Sequence, residues 1–163
     1  MAHNCRNFNV RMKDPRVHRC LEAGLTILVG TVDANGTPSC CRGIAVTSDD
    51  ELETATVYLP VATSHEAIQN VATTGRLAIG VVHPLENTAT QLKGTTTEAR
   101  LAREDEAAFV HARADAFTAM VEVAGVPRRL MRTVAYWPAF AVSMRVDQIF
   151  DQTPGPNAGG RLR

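Results

Sequence analysis

The alternation of apolar and polar residues predicts that the chain opens with a run of β-strands. Residues 25–32 and 39–47 are rich in apolar and β-branched residues, and between them lies Asp33-Ala34-Asn35-Gly36-Thr37. An Asn-Gly pair between two such runs favours a tight β-hairpin. Residues 54–59 follow an acidic turn and indicate a third strand, so a three-stranded antiparallel meander is expected.

Three more strands are predicted further along, at residues 77–82, 88–100 and 139–150. Gly94 lies inside the second of them, and a glycine within a strand often marks a bulge or a bend. The segment 153–160 is rich in proline and glycine and is expected to lack regular structure. Both ends of the chain, 1–13 and 153–163, are expected to be extended or flexible.

Helices are predicted between these strands. Asp and Pro are favoured at helix starts, so a short helix is expected over residues 14–24. A second is expected over 63–75, a long one over 104–123 and one or two turns over 128–134. Spacings of three and four residues give the long helix one apolar face, formed by Ala107, Val110, Ala114, Phe117 and Val121.

Six strands and few helices favour a mainly β, α+β fold in which an antiparallel sheet closes into a six-stranded barrel with flanking helices. Because regular helices do not separate the strands, a doubly wound parallel sheet fits poorly. The chain has 163 residues, 45% of them hydrophobic, and is expected to form one domain over residues 1–163.

Charge and cysteine content narrow the function. Lys plus Arg and Asp plus Glu both number 17, so the basic excess that grips nucleic-acid phosphates is missing. No apolar run approaches the roughly 18 residues of a membrane span, and the first residues do not resemble a secretory signal. A cytoplasmic protein is expected, with reduced thiols at Cys5, Cys20, Cys40 and Cys41.

One candidate site would bind an anion. Arg42 lies on the second predicted strand, and Thr63, Ser64 and His65 lie where the second helix begins. The first turn of a helix presents unbonded N–H groups and partial positive charge, which attract phosphate. The alternative is that Thr63 or Ser64 only caps the helix and that Arg42 is solvated.

A second candidate site is formed by Gln91 and Lys93, which are two residues apart and therefore share one face of a strand. In a cleft, Gln91 could bond a planar heterocycle and Lys93 an anion, whereas the alternative is an ordinary solvent face. Arg42, Lys93 and the helix start could converge on one phosphate-sized spot.

Other features favour packing over function. Tyr136 and Trp137 could stack on a ligand, but a Trp before a Pro at a strand start is more often part of the core. The basic run 128–132 is more typical of a solvated helix face than of a nucleic-acid site. No catalytic acid, base or nucleophile and no metal ligand is predicted.

The order of these signals resembles the pyridoxamine 5′-phosphate oxidase-like family of FMN-binding split barrels. The resemblance covers residues 20–156. The matching segments are Gly30–Pro38, Arg42–Val46, Val57–Leu59 with Thr63–His65, Gly75–Ile79, Thr90–Gly94 and Val146–Pro156.

The resemblance implies a six-stranded split β-barrel, a homodimer and FMN in a groove shared by the two subunits. It also implies that Arg42, Ser64 and His65, with Thr63 beside them, lie at the FMN phosphate. Gln91 and Lys93 would then contact the flavin ring or ribityl chain.

Departures from the family pattern bear on the activity. Thr47 stands near where true pyridoxamine phosphate oxidases have Lys, Ala89 near where they have Gln, and the C-terminal Arg-x-His motif is missing. The expected function is an FMN-dependent oxidoreductase of another small molecule. The alternative is a split-barrel protein that binds flavin, deazaflavin or haem without catalysis.

Overall fold

The β-hairpin predicted around Asn35-Gly36 is present, and it begins an antiparallel sheet that runs through the molecule. The structure is a computed structural model that describes residues 15–23, 26–131 and 133–163. The segment 1–13, which was expected to be extended, lies outside the described residues, as do Cys5, Gly24, Leu25 and Arg132.

The helices are α1 (Pro15–Ala23), α2 (His65–Thr74), α3 (Ala107–Val123) and the single turn α4 (Arg128–Met131). The strands are β1 (Thr26–Val32), β2 (Pro38–Gly43), β3 (Ala45–Ser48), β4 (Thr54–Pro60), β5 (Arg76–His83), β6 (Thr88–Leu101), β7 (Ala139–Asp151) and β8 (Gly160–Arg161). One-turn 3₁₀ helices, Val61–Thr63 and Glu104–Glu106, precede α2 and α3. No helix in the described ranges has the length and apolar character needed to cross a membrane.

The strand order is β2-β1-β5-β6-β7-β4-β3, with every neighbouring pair antiparallel. Only Ile44 separates β2 from β3, so the two ends of this order belong to one bent strand, and the sheet closes on itself. The split-barrel fold predicted from the sequence is therefore confirmed. It has seven main strands instead of six because the predicted strand 39–47 divides at Ile44.

Close packing at Gly43 explains where the bent strand changes partner. A Cβ atom at Gly43 would lie 2.6 Å from Cγ2 of Ile27 and 3.1 Å from Cγ2 of Val57. The next residue, Ile44, donates its backbone N–H to the carbonyl of Tyr58 at 2.9 Å. Because glycine has no side chain, the strand can pass close to Ile27 and Val57 at this point, where it leaves β1 and joins β4.

Two apolar clusters lie on opposite faces of the sheet. The inner one fills the barrel and includes Ile27, Val29, Val57, Leu59, Ile79, Leu92 and Met144, together with Val17 and Leu21 of α1 and Ala67 and Val71 of α2. The outer one joins Val110 and Ala114 of α3 to Ile44, Ala45, Tyr58, Ala139 and Ala141. Helix α3 thus covers the outer face of β3, β4 and β7, whereas Leu28 on the outer face of β1 is 48% exposed.

The bulge predicted at Gly94 is confirmed. Lys93 pairs with Gln148 but Gly94 pairs with Val146, which leaves Asp147 as an extra residue on β7. A Cβ atom at Gly94 would overlap the carbonyl oxygen of Arg145, so only glycine permits this close approach. Bulges re-aim side chains, and this one turns Asp147 toward the outer face.

The segment 153–160 was expected to lack regular structure, but its last residue, Gly160, begins a short strand. Residues 153–159 form turns, but Gly160 and Arg161 pair with β7 as β8. The reason is that the Arg163 guanidinium donates to the carbonyl oxygens of Leu52 at 2.6 Å and Val146 at 2.7 Å. These bonds hold the last residues against the end of the barrel.

Helix α3 is anchored by the carboxylate of Glu106, just before its first turn. Arg100 donates two hydrogen bonds to it, at 2.7 and 2.9 Å, and the Tyr58 hydroxyl donates a third at 3.0 Å. The backbone N–H of Arg103 donates a fourth at 2.6 Å. These donors, Arg100 foremost, lower the pKa of Glu106 to about 2.

We expect the stabilisation by Glu106 to depend on pH. A pKa lowered from 4.5 to about 2 means that the contribution is complete above pH 4.5 and is lost as the pH falls toward 2. Glu106→Gln should lower the free energy of unfolding by about 1–2 kcal/mol at pH 7, and by less at pH 3. Urea denaturation at the two pH values measures both differences, with Glu104→Gln in the same turn as control. An equal loss at both pH values would contradict the prediction.

Candidate functional site

Small residues form the floor of a groove on the outer face of β1 and β5. Gly30 pairs with Ala78, and Ala78 pairs with Lys93 of β6. In the adjacent row, Gly80 lies between Leu28 and Gln91. The groove has a volume of about 570 Å³, within the roughly 300–1,000 Å³ of small-molecule sites. We call it the outer groove.

Gln91 and Lys93 border the outer groove from β6 and share its face, as their spacing predicts. The ammonium nitrogen of Lys93 lies 4.6 Å from the ring centroid of Phe150. Gln91 pairs with Phe150 across the strands, and its Oε1 accepts a long hydrogen bond, 3.4 Å, from Gln152. A cation, an amide and an aromatic ring therefore meet at one edge of the groove.

The bulge residue Asp147 adds a carboxylate to the same groove. It accepts hydrogen bonds from Nε of Arg145 at 2.9 Å and from the Thr95 hydroxyl at 3.1 Å. The bond from Arg145 is the main cause of its lowered pKa, so Asp147 is ionised at neutral pH. With Lys93 and Arg76 also lining it, the groove presents charges of both signs.

Arg42 projects from the outer face of β2, where α3 covers it. Its Cζ atom lies 3.4 Å from the ring centroid of Phe117, which is 7% exposed. Burial lowers the pKa of Arg42, and nearby Tyr136 opposes that shift. Arg42 remains protonated, as arginine does in proteins. Because Arg42 is half-buried, the alternative that its side chain is solvated is not supported.

Ser64 occupies the N-cap position of α2, yet its side chain does not cap the helix. It is 1% exposed, and its hydroxyl makes no well-formed hydrogen bond within the described part of the chain. It lies beside the Cys41 thiol on the inner face of β2, where burial raises the pKa of Cys41 and Ser64 opposes the shift. Thr63 and His65 are exposed on either side of it.

Buried polar bonds fix the position of α2. Asn70 donates from Nδ2 to the hydroxyls of Thr31 at 3.1 Å and Ser39 at 3.0 Å. The Thr74 hydroxyl donates to the backbone carbonyl of Val32 at 2.9 Å. The second half of α2 is therefore held in a defined place against the first hairpin.

Within one chain, the six predicted site residues lie in three places: Arg42 on β2, Thr63–His65 at the start of α2, and Gln91 with Lys93 on β6. Arg42 and Gln91 are on strands three steps apart in the sheet, which corresponds to about 14 Å. Ser64 lies by the inner face of β2, whereas Arg42 leaves from the outer face. The expected convergence of Arg42, Lys93 and the helix start on one spot is absent from the described chain. The assignment of all six to a cofactor stays a prediction.

Sequence reasoning missed the aromatic partners of both cations. The sequence predicts Phe117 on the apolar face of the long helix and Phe150 in the last strand, but it predicts no contact of either ring with Arg42 or Lys93. The heptad-like spacing shows that Phe117 is buried but not which strand it covers. Tyr136 and Trp137 pack against the outer cluster, which agrees with the packing alternative.

Comparison with solved structures identifies the class of fold. HupZ of group A Streptococcus superimposes with a TM-score of 0.56 at 19% identity, covering 91% of this chain and 100% of that one. A candidate pyridoxamine 5′-phosphate oxidase of Lactobacillus delbrueckii gives 0.54 at 15% identity, over 88% and 97%. An FMN-binding protein of Syntrophomonas wolfei gives 0.53 at 10%, over 82% and 86%.

The chain has the split-barrel fold of the pyridoxamine 5′-phosphate oxidase-like proteins, as its sequence resemblance predicted. At these identities the likeness concerns the fold. No family model matches the sequence, and no curated protein matches it either.

The opposite orientations of Cys40 and Cys41 can be measured by alkylation. Cys40 is exposed on the outer face, whereas Cys41 is part-buried with a raised pKa, and so is buried Cys20. At pH 8, iodoacetamide should modify Cys40 several times faster than Cys41 or Cys20, because thiolate is the reactive form. Mass spectrometry of the peptide containing both neighbours counts the labels, and Cys40→Ser should remove the fast one. Fast loss of both thiols would contradict the assigned faces.

Proposed function

We propose that this protein is an FMN-binding flavoprotein that oxidises or reduces a small molecule. The observation that carries the proposal is the outer groove, with its floor of Gly30 and Ala78 and its edge of Gln91 and Lys93. A flat floor without large side chains suits a planar ring, and an amide and a cation suit its polar edge. The fold shared with an FMN-binding protein supports the same conclusion.

The residues present fit the two chemical ends of FMN. Gln91 would orient the ring edge through its amide, and Lys93 would favour negative charge there. The Arg42 guanidinium on the outer face of β2 would hold the phosphate, since a guanidinium favours an anion. The buried Ser64 hydroxyl does not cap its helix, so the start of α2 beside the inner face of β2 is a separate candidate position for an anion. Bound FMN would supply the redox chemistry.

We propose in addition that two copies of the chain form the complete site. Within one copy, the ring-binding edge on β6 and the phosphate-binding Arg42 on β2 are three strands apart, which corresponds to about 14 Å. A homodimer that pairs through the outer face would bring the two sets together from different copies. The exposed Leu28 and the small residues beside it make that face suitable for close contact.

A second candidate function is binding without catalysis, with flavin, deazaflavin or haem as the ligand. The observation that favours it is Asp147, the carboxylate at the groove, whose lowered pKa makes it a poor proton donor at neutral pH. Turnover in the presence of NADPH or oxygen distinguishes the two functions. A cytoplasmic location remains part of the proposal, supported by the free thiols of Cys20, Cys40 and Cys41.

Titration with FMN tests the proposed cofactor. Wild-type protein should quench flavin fluorescence saturably and bind FMN about tenfold or more tightly than riboflavin, because riboflavin lacks the phosphate. Ala78→Leu should weaken both ligands strongly, since its side chain would enter the groove. Arg19→Gln is the control, because Arg19 lies on α1 and pairs with Glu86. Colourless protein without saturable FMN binding would overturn the proposal, and a Soret band would favour haem.

Sedimentation velocity tests the proposed homodimer. Wild-type protein should sediment with twice the mass of one chain. Leu28→Lys places a charge on the outer face and should shift the protein toward the monomer, because burying an unpaired charge is costly. Leu85→Lys is the matched control, since Leu85 is 70% exposed in the turn between β5 and β6. A monomeric wild type, or equal dissociation of both variants, would contradict the proposed interface.

A further inference from the structure

Arg42 and Phe117 form a close stacked pair between β2 and α3. The 3.4 Å from Cζ to the ring centroid places the guanidinium directly against the ring face. Tyr136 lies near the same guanidinium and raises the pKa of Arg42 against the effect of burial. Phe117 belongs to the α3 surface that is buried with Val110 and Ala114, so its ring is held by the packing of the helix.

Stacking on an aromatic ring restricts a guanidinium without blocking its hydrogen-bonding direction. The ring contacts the face of the planar group, whereas its five N–H donors lie in the plane. A cation–π contact is stronger when the pair is withdrawn from water, as this one is. A long arginine side chain loses much rotamer freedom when it binds a ligand, and a guanidinium already fixed by a ring loses less.

We propose that Phe117 is a positioning residue, which fixes the Arg42 guanidinium for the flavin phosphate and so sets the preference for FMN over riboflavin. This inference rests on the proposed function. Phe117 is 7% exposed and contacts Arg42, so its effect on a bound phosphate is expected to pass through Arg42. Lys93 and Phe150 lie on β6 and β7, away from Arg42, so a change at that pair is a separate effect on ligand binding.

The test compares the FMN and riboflavin dissociation constants of matched variants. Phe117→Leu keeps an apolar side chain but removes the ring, and should reduce the preference for FMN by roughly fivefold to tenfold while riboflavin affinity stays the same. Phe117→Tyr keeps the ring and should retain the preference. Phe109→Leu is the control on the same helix, since the Phe109 ring contacts Tyr58 at a centroid distance of 5.9 Å.

A double-mutant cycle shows whether Phe117 acts through Arg42. In an Arg42→Gln background, Phe117→Leu should cause no further loss of FMN preference. A loss that persists there, an unchanged preference in Phe117→Leu, or an equal weakening of FMN and riboflavin would each overturn the inference alone. A wild type that binds no FMN would overturn the proposed function and this inference with it.

A measurement without ligand covers the case in which Phe117→Leu folds poorly. The Nε–H signal of Arg42 in the wild-type NMR spectrum should show an upfield ring-current shift, because the guanidinium lies over the ring face. The shift should persist in Phe117→Tyr and disappear in Phe117→Met, an unbranched replacement of similar size. An unshifted wild-type signal would overturn the inference.

Discussion

The change of partner at Gly43 is the constraint on which the rest of the structure depends. Because Ile27 and Val57 leave no room for a Cβ atom there, the strand can pass close to both halves of the sheet. Its first part then pairs with β1 and its second part with β4, which closes the barrel. The same crossing determines which outer faces α3 covers and which remain open on β1, β5 and β6.

A net charge of zero does not describe the local charge around Arg42 and Lys93. Arg42 and Lys93 each lie against an aromatic ring, Phe117 and Phe150 respectively. A ring attracts a cation without neutralising its charge. The carboxylate of Asp147, held by Arg145, is the opposing charge in the outer groove.

The sequence predicted local features well because each has a local cause. The Asn35-Gly36 turn and the apolar face of α3 follow from a few neighbouring residues, and a glycine inside a strand is itself the signal for the bulge at Gly94. The division at Ile44, the short β8 and the contacts of Phe117 and Phe150 depend on strands distant along the chain. Residue spacing placed Gln91 and Lys93 on one face, but only the strand order shows that Arg42 lies three strands away.

That separation has a thermodynamic consequence for any ligand that needs both sets of residues. If two copies of the chain hold such a ligand, as proposed above, its binding and the association of the copies are linked. Ligand would stabilise the dimer, and dilution of the protein would weaken the apparent affinity. Residues at the interface would then influence affinity without touching the ligand, since each copy completes the site of the other. The small-residue floor and the exposed Leu28 suit close contact between two copies on this face.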